Sequence, residues 1–369
     1  MNRKDIPTPA LLIDKNIMMD NLKFMQDYAD SEGVHLRPHT KTHKMPYVAL
    51  IQKELGAHGV TVAKTDEAEI MAQGGIDDIF IANEIIGEDK LEKIKELSKT
   101  INISFGLDSI EGAVIVNKAF EGHTSKAQVL IEIEVGEERS GMNTMEEFSE
   151  LLVFLKDNCP NIKLLGIFSH DGSSYFAENL EELAKIHRDA QIRTLSFAKK
   201  AEELGYSLER VSIGSTPSLM HGFPILKGVT EIRPGTYVFM DASQANGIGS
   251  KARCAATVLA QVMSRPTEER VILDVGAKGI TMQKRSRGLC SSEGLGDIKE
   301  FPGVHVFDVF DEHAIIYSKE MKDSVKVGDK VSIIPVHICP VVNLHENAYF
   351  MDGDRVIETV PVLGRGKLR

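Results

Sequence analysis

The chain contains no run approaching the ~20 apolar residues that a membrane-spanning helix needs, so it is not expected to span a membrane that way. It has no long basic run either: 43 Lys and Arg stand against 54 Asp and Glu, a net charge of −11. Nucleic acid and anionic membranes are therefore not the expected partners, although a local basic pocket for a small anion stays open. Cysteine is scarce, and Cys159, Cys254, Cys290 and Cys339 are far apart without CxxC spacing, so they read as reduced thiols. Residues 1–9 carry an acid and two prolines where a secretory signal would need its apolar stretch, so the expected compartment is the cytoplasm. The dinucleotide fingerprint GxGxxG is missing after the first strand, which counts against an open nucleotide-binding sheet.

What is present is ordinary globular composition, 42% hydrophobic and 26% charged over 369 residues, enough for two domains with their own cores. The first 240 residues repeat one pattern, a short β-branched run followed by an amphipathic stretch. Strands are predicted at 34–41, 59–63, 78–83, 101–107, 127–135, 162–170, 210–214 and 231–239, with helices between them. One such helix places Met18, Leu22, Met25 and Ala29 on one face behind a cap at Asp14. Eight alternations fit a (β/α)8 TIM-type barrel better than an open doubly wound sheet. After about residue 245 the helical period fades, and segments at 255–263, 270–275, 312–318, 330–335 and 355–362 predict a smaller all-β domain. The expected division is 1–245 and 246–369, with a first strand near 7–14 able to join the β domain.

In a barrel, chemistry sits at the carboxyl ends of the strands. The first strand ends in Arg37-Pro38-His39-Thr40-Lys41-Thr42-His43-Lys44, and period-two alternation puts Arg37, His39 and Lys41 on one face. Turned inward, that face brings three ionisable groups to the barrel mouth, where desolvation and neighbouring positive charge favour a neutral lysine amine able to condense with an aldehyde. Turned outward, it is a solvated basic loop. The seventh strand ends in Gly214-Ser215-Thr216-Pro217, a turn whose amides and hydroxyls can cradle a phosphate or simply cap a helix. Arg233-Pro234-Gly235-Thr236-Tyr237 follows beside it. A lysine for an aldehyde and a cradle for a phosphate on one barrel mouth point to pyridoxal phosphate. In the β domain, His337 and Cys339 are spaced i, i+2, as two zinc ligands on one strand face would be, or as a buried histidine beside an inert thiol. Arg139 can donate to a phenolate or carboxylate or sit in a surface ion pair. His170 and Tyr175 can touch a cofactor or line the substrate pocket, His170 also fitting a core position, and Asn83-Glu84 can serve the barrel interior or cap a helix.

Taken together, the segments at 37–44, 214–217, 233–237 and His337-Ile338-Cys339-Pro340-Val341-Val342-Asn343 resemble the D-serine dehydratase and D-threonine aldolase family, the metal-dependent branch of the alanine-racemase-like, fold-type III pyridoxal phosphate enzymes. The resemblance runs nearly end to end, from Pro7 to Gly366. It implies Lys41 as the cofactor-linked lysine, Gly214, Ser215 and Thr216 around the phosphate, and Arg139 in the cofactor and substrate shell, while His39 is a catalytic candidate from the strand alternation that sets it beside Lys41. His170, Tyr175 and Tyr237 would complete the cofactor shell. It implies His337 and Cys339 as ligands of a divalent metal, zinc first and manganese or magnesium as alternatives, and a homodimer acting on a small D-amino acid. Val336 departs from the pattern: many relatives have Asn there, so a hydrogen bond to the metal histidine is expected to be missing. The family's dehydratases resemble this chain in having Cys at the second ligand position, where its aldolases more often have Asp. The implied function is a dehydratase of the D-serine or D-threo-3-hydroxyaspartate type. A D-threonine-type aldolase is the alternative and an amino-acid racemase on the same fold a further one. A non-catalytic cofactor carrier and a cofactor-free binding protein are more distant readings.

Overall fold

In the computed structural model, which describes residues 1–369, the chain groups into two units. One comprises Met25–Lys41, Pro46–Gly235 and Lys367–Arg369, the other Met1–Phe24, Thr42–Met45 and Thr236–Gly366. The grouping is thus not a single cut at 245, because the first 24 residues, a four-residue insert and the 236–245 stretch all go with the C-terminal half. No helix is long and apolar enough to cross a membrane.

Strand β1 (Ala10–Asp14) belongs to the second unit. The next eight, β2 (His35–Leu36), β3 (Val60–Val62), β4 (Asp78–Glu84), β5 (Asn102–Leu107), β6 (Ala127–Ile133), β7 (Ile162–Ser169), β8 (Arg210–Ile213) and β9 (Glu231–Ile232), form the first unit's sheet. Their order is β2-β9-β8-β7-β6-β5-β4-β3 with parallel neighbours. A bridge between His39 and Thr61 joins the two ends, so the sheet closes into the expected barrel. All eight predicted strands occur, but the first and last are cut to two residues. The reason is local: Pro38 and Pro234 have no N–H to donate to the ladder.

Both faces of these strands are buried, which is why they read as apolar runs. Ile79 and Ile81 of β4 turn outward into the helix-lined core, with Ile103, Phe105, Val129 and Ile131. Phe80 turns inward to Leu130, Leu165 and Phe168. The Arg233 guanidinium lies over the inner Phe80 and Phe168 rings, 5.8 and 5.3 Å from their centroids, and donates to Ser212 Oγ at 2.6 Å and Ser169 O at 2.7 Å.

Arg37 does not reach the barrel mouth, where strand alternation would place it with His39 and Lys41. It is fully buried at the amino ends of the strands, where it pairs with Glu231 Oε2 at 2.6 Å and with Asp78, the first residues of β9 and β4. Burial works against the Glu231 charge, but Arg37 and Arg210 outweigh it and hold the carboxyl down at about 2. A depressed carboxyl contributes stability above its unfolded pKa of about 4.3 and loses it as pH falls toward the folded value. Arg37→Leu strands the buried Glu231 charge and is expected to cost about 3–5 kcal/mol, measured by urea unfolding at pH 7. Equal stability of variant and parent would contradict this account, and the difference between them should shrink as pH drops below about 4.

The second unit centres on β1, which pairs antiparallel with β10 (Ala256–Ser264) and parallel with β16 (Asn347–Asp352). Around them lie β11 (Arg270–Leu273), β12 (Gly296–Ile298), β13 (Asp308–Val309), β14 (Ala314–Tyr317), β15 (Lys330–Pro335) and β17 (Arg355–Pro361), paired antiparallel. Ile6, Ala10, Leu12, Leu259 and Met351 pack together on this sheet. Short helices interrupt the strands, and Ile338–Val342 bears on function.

Candidate active site

The carboxyl ends of the barrel strands carry a dense set of ionisable groups. Past β2, the Lys41 backbone N–H is directed at His39 Nδ1 at 3.4 Å, so the buried His39 ring braces the turn that presents the lysine. The Lys41 charge is felt at two neighbours, Glu137 in the loop after β6 and His170 immediately after β7. Burial first, and Lys41 second, hold His170 well below the ordinary imidazole value, so the ring is neutral at pH 7. Gly214 O can only accept, so His170 Nδ1, 2.8 Å away, carries the proton and donates it, and Nε2 becomes the accepting nitrogen. The Tyr175 ring centre lies 6.5 Å from that of His170.

Arg139, 52% exposed, reaches Glu132 Oε1 and Glu137 Oε2, both at 3.3 Å. Glu132 also accepts from Ser140 Oγ at 2.7 Å. Glu84, the last residue of β4, faces that same carboxylate. Burial and Glu132 push Glu84 up to about 8, so at pH 7 the two carboxyls share a proton. Glu84 therefore serves the barrel mouth and caps no helix, while Asn83 Nδ2 donates to Ala63 O at 3.2 Å.

Gly214, Ser215 and Thr216 follow β8 directly. A Cβ on Gly214 would stand 3.1 Å from Arg233 O, which explains the glycine at this close approach of two backbone segments. Ser215 Oγ lies 2.8 Å from Ser174 Oγ, and Thr216 Oγ1 accepts the Gly235 N–H at 3.3 Å. Behind this loop the buried Asp171 accepts from Ser218 Oγ at 3.0 Å and lies 3.6 Å from His187 Nδ1. Burial opposes its charge, but hydrogen bonding and the charge of His187 outweigh it and hold Asp171 below the usual carboxylate range. Tyr237 lies fully buried in the turn Thr236–Val238 of the second unit.

In the second unit, His337 and Cys339 do not share a strand face. Strand β15 stops at Pro335, His337 is extended backbone ahead of the helix Ile338–Val342, and Cys339 sits in that helix's first turn. The local cause is Pro340, which cannot donate to a ladder and suits a first helical turn. The Cys339 thiol is 9% exposed, with Thr42 Oγ1 at 3.2 Å and Thr236 Oγ1 at 3.6 Å. Thr42 is the residue after Lys41. His337 Nδ1 donates to Gln283 Oε1 at 2.9 Å, so the bond expected to be missing because of Val336 is supplied from 54 residues upstream. No group of three or more His, Cys, Asp or Glu assembles as a metal cage.

Comparison with known proteins fits this two-part arrangement. Residues 13–243 match the alanine racemase N-terminal domain, and residues 255–351 match a putative serine dehydratase domain. The chain belongs to the alanine racemase N-terminal domain family. It is 32% identical to the D-threonine aldolase of Arthrobacter sp over 96% of this chain and 91% of that one. It is 29% identical to the D-threo-3-hydroxyaspartate dehydratase of Delftia sp. strain HT23 over 90% of this chain and 91% of that one. The crystal structure of D-threonine aldolase from Filomicrobium marinum superposes with a TM-score of 0.88 at 28% identity, covering 99% of this chain and 98% of that one. These relatives are named as aldolases and dehydratases, which are lyases, and the chain is an enzyme of that class.

The residues of the family member in hand fit the cofactor. Lys41 lies near enough to act on a neutral His170, and the loop after β8 offers the amides and hydroxyls of Gly214, Ser215 and Thr216, the donor types a phosphate takes. They also fit a divalent metal: imidazole and thiol are zinc-type donors, and Gln283 orients the ring through the nitrogen that is not needed for ligation. Sequence reasoning missed Asp171, His187, Glu132 and Gln283. Asp171 directly follows His170, which the sequence singles out, and Glu132 lies within a predicted strand, but His187 and Gln283 lie outside every motif named above, and only the fold brings them to their neighbours.

Proposed function

We propose that this chain is a pyridoxal phosphate- and divalent-metal-dependent dehydratase of D-β-hydroxy amino acids of the D-serine or D-threo-3-hydroxyaspartate type, working as a homodimer and releasing a 2-keto acid and ammonia. The observation that carries the reading is Cys339, a buried thiol held by two threonine hydroxyls beside an imidazole fixed by Gln283. By resemblance, a thiol at this position goes with dehydration. A specific observation favours the aldolase as second reading, namely the 32% identity to a D-threonine aldolase over nearly the whole chain.

The cofactor would supply an electron sink for bond breaking at Cα, held by Lys41 and by Gly214, Ser215 and Thr216. The metal, held by His337 and Cys339, would supply Lewis acidity to the β-oxygen. Lys41 Nζ takes the α-proton, with Arg139 donating to an anionic oxygen of the ligand. His170, neutral and tied through Nδ1–H to Gly214 O, presents an acceptor rather than a positive charge. The Glu84–Glu132 pair keeps a proton at the mouth at neutral pH and moderates the positive charge of Arg139.

Incubation with D-serine, D-threonine and D-threo-3-hydroxyaspartate, with and without EDTA, tests the reading. Keto acid and ammonia are expected in equal amounts, lost on chelation and restored by zinc or manganese. Glycine with an aldehyde would move the assignment to the aldolase. Racemised substrate that survives EDTA would move it to the racemase.

A further inference from the structure

Between the two residues assigned to the metal lies a backbone N–H whose partner the family reading does not mention. The Ile338 N–H donates to Asp241 Oδ2 at 3.1 Å, and the other oxygen, Oδ1, accepts the Gln244 N–H at 2.8 Å as the cap of the helix Ala242–Ile248. Two residues on, the Ser243 N–H donates to Val336 O at 3.3 Å. His337 is thus clamped from both sides, through the carbonyl before it and the amide after it, by the first turn of one helix. Asp241 is 1% exposed, and through the Ile338 amide its carboxylate sits beside the backbone that joins His337 to Cys339. A carboxylate so placed cannot recruit water to balance its charge, whereas a divalent cation on the two neighbouring side chains would balance it.

We propose that Asp241 is the positioning residue of the metal site, setting the separation of His337 and Cys339 through Ile338 and supplying the buried negative charge that favours a divalent cation over none. The inference rests on the reading of His337 and Cys339 as metal ligands. Asp241 itself ligates nothing in this account.

The test is zinc affinity by calorimetry on the metal-stripped, cofactor-loaded full chain. Asp241→Asn keeps the size and the Gln244 cap through its one oxygen, but removes the charge and turns an N–H donor toward the Ile338 N–H. Asp241→Ser keeps a helix cap for Gln244 and cannot reach Ile338. Both are expected to weaken zinc binding by about 10- to 100-fold on top of the lower metal-free melting temperature that the lost Ile338 bond brings, while the cofactor's visible absorbance stays at the parent's. A purely structural role would lower the metal-free melting temperature but leave zinc affinity alone, and that result overturns the proposal. So does parental zinc affinity in both variants when His337→Ala has lost it. Zinc binding that survives His337→Ala and Cys339→Ala together would overturn the ligand assignment itself, a separate failure.

Discussion

Replacing Lys41 by alanine is expected to abolish the visible absorbance of the lysine-bound cofactor, to leave no borohydride-fixable adduct on the chain, and to lower turnover by at least ~10³-fold. The size follows from two roles lost together, the covalent anchor and the base for the α-proton. The surroundings differ from a cluster of positive charge: His170 beside the lysine is neutral and adds no charge, and Glu137 is near enough to be influenced by its ammonium. Burial pushes the Glu137 carboxyl up, and Arg139 and Lys41 oppose that rise. Spectra, borohydride reduction with peptide mapping, and steady-state rates check the prediction. An adduct that persists on another lysine after the substitution would show that the barrel presents a different amine.

His337→Ala and Cys339→Ala are expected to behave in the opposite way. The cofactor absorbance should stay, because the residues around Lys41 and Gly214 belong to the other unit and are untouched. Metal content should fall from one equivalent toward none, and turnover should drop on the order of 10³-fold, the several kcal/mol that a Lewis acid supplies to a departing oxygen. EDTA treatment of the parent should reproduce this phenotype. Metal analysis, absorbance and keto-acid release measured on the same samples separate the effects. If both variants turn over at the parental rate, the pair holds no catalytic metal.

The barrel was legible because its strands are buried on both faces and so advertise themselves as β-branched runs at regular spacing. All eight were predicted, and the two that came out short did so at Pro38 and Pro234. Strands β12, β13 and β16 were not anticipated. The first two have three and two residues, too few to show an alternation, and β16 reads Asn-Ala-Tyr-Phe-Met-Asp without a clear period. Lys41 and the Gly214 loop were readable because each lies at the end of a strand, where a barrel presents its ligands. The placement of Arg37 with His39 and Lys41 at the barrel mouth fails at Arg37. The chain turns after β2, so Arg37 points into the closed lower barrel, where it needs Glu231 and Asp78, two carboxylates distant in sequence.

The amino-acid sequence by itself determined the order of the barrel's elements, the strand-end position of Lys41 and the Gly214 loop, and the spacing of an imidazole and a thiol two residues apart. These depend on local periodicity, proline and glycine chemistry, and short spacing, all of which act within a few residues. Only the tertiary structure decided the state and orientation of those groups. The neutrality of His170, the shared proton of Glu84 and Glu132, the replacement of an expected Val336-position hydrogen bond by Gln283, and the clamp of Asp241 on Ile338 each join residues from separate stretches of chain. Desolvation and charge depend on which atoms end up within a few ångströms, and that is set by packing rather than by neighbours in sequence.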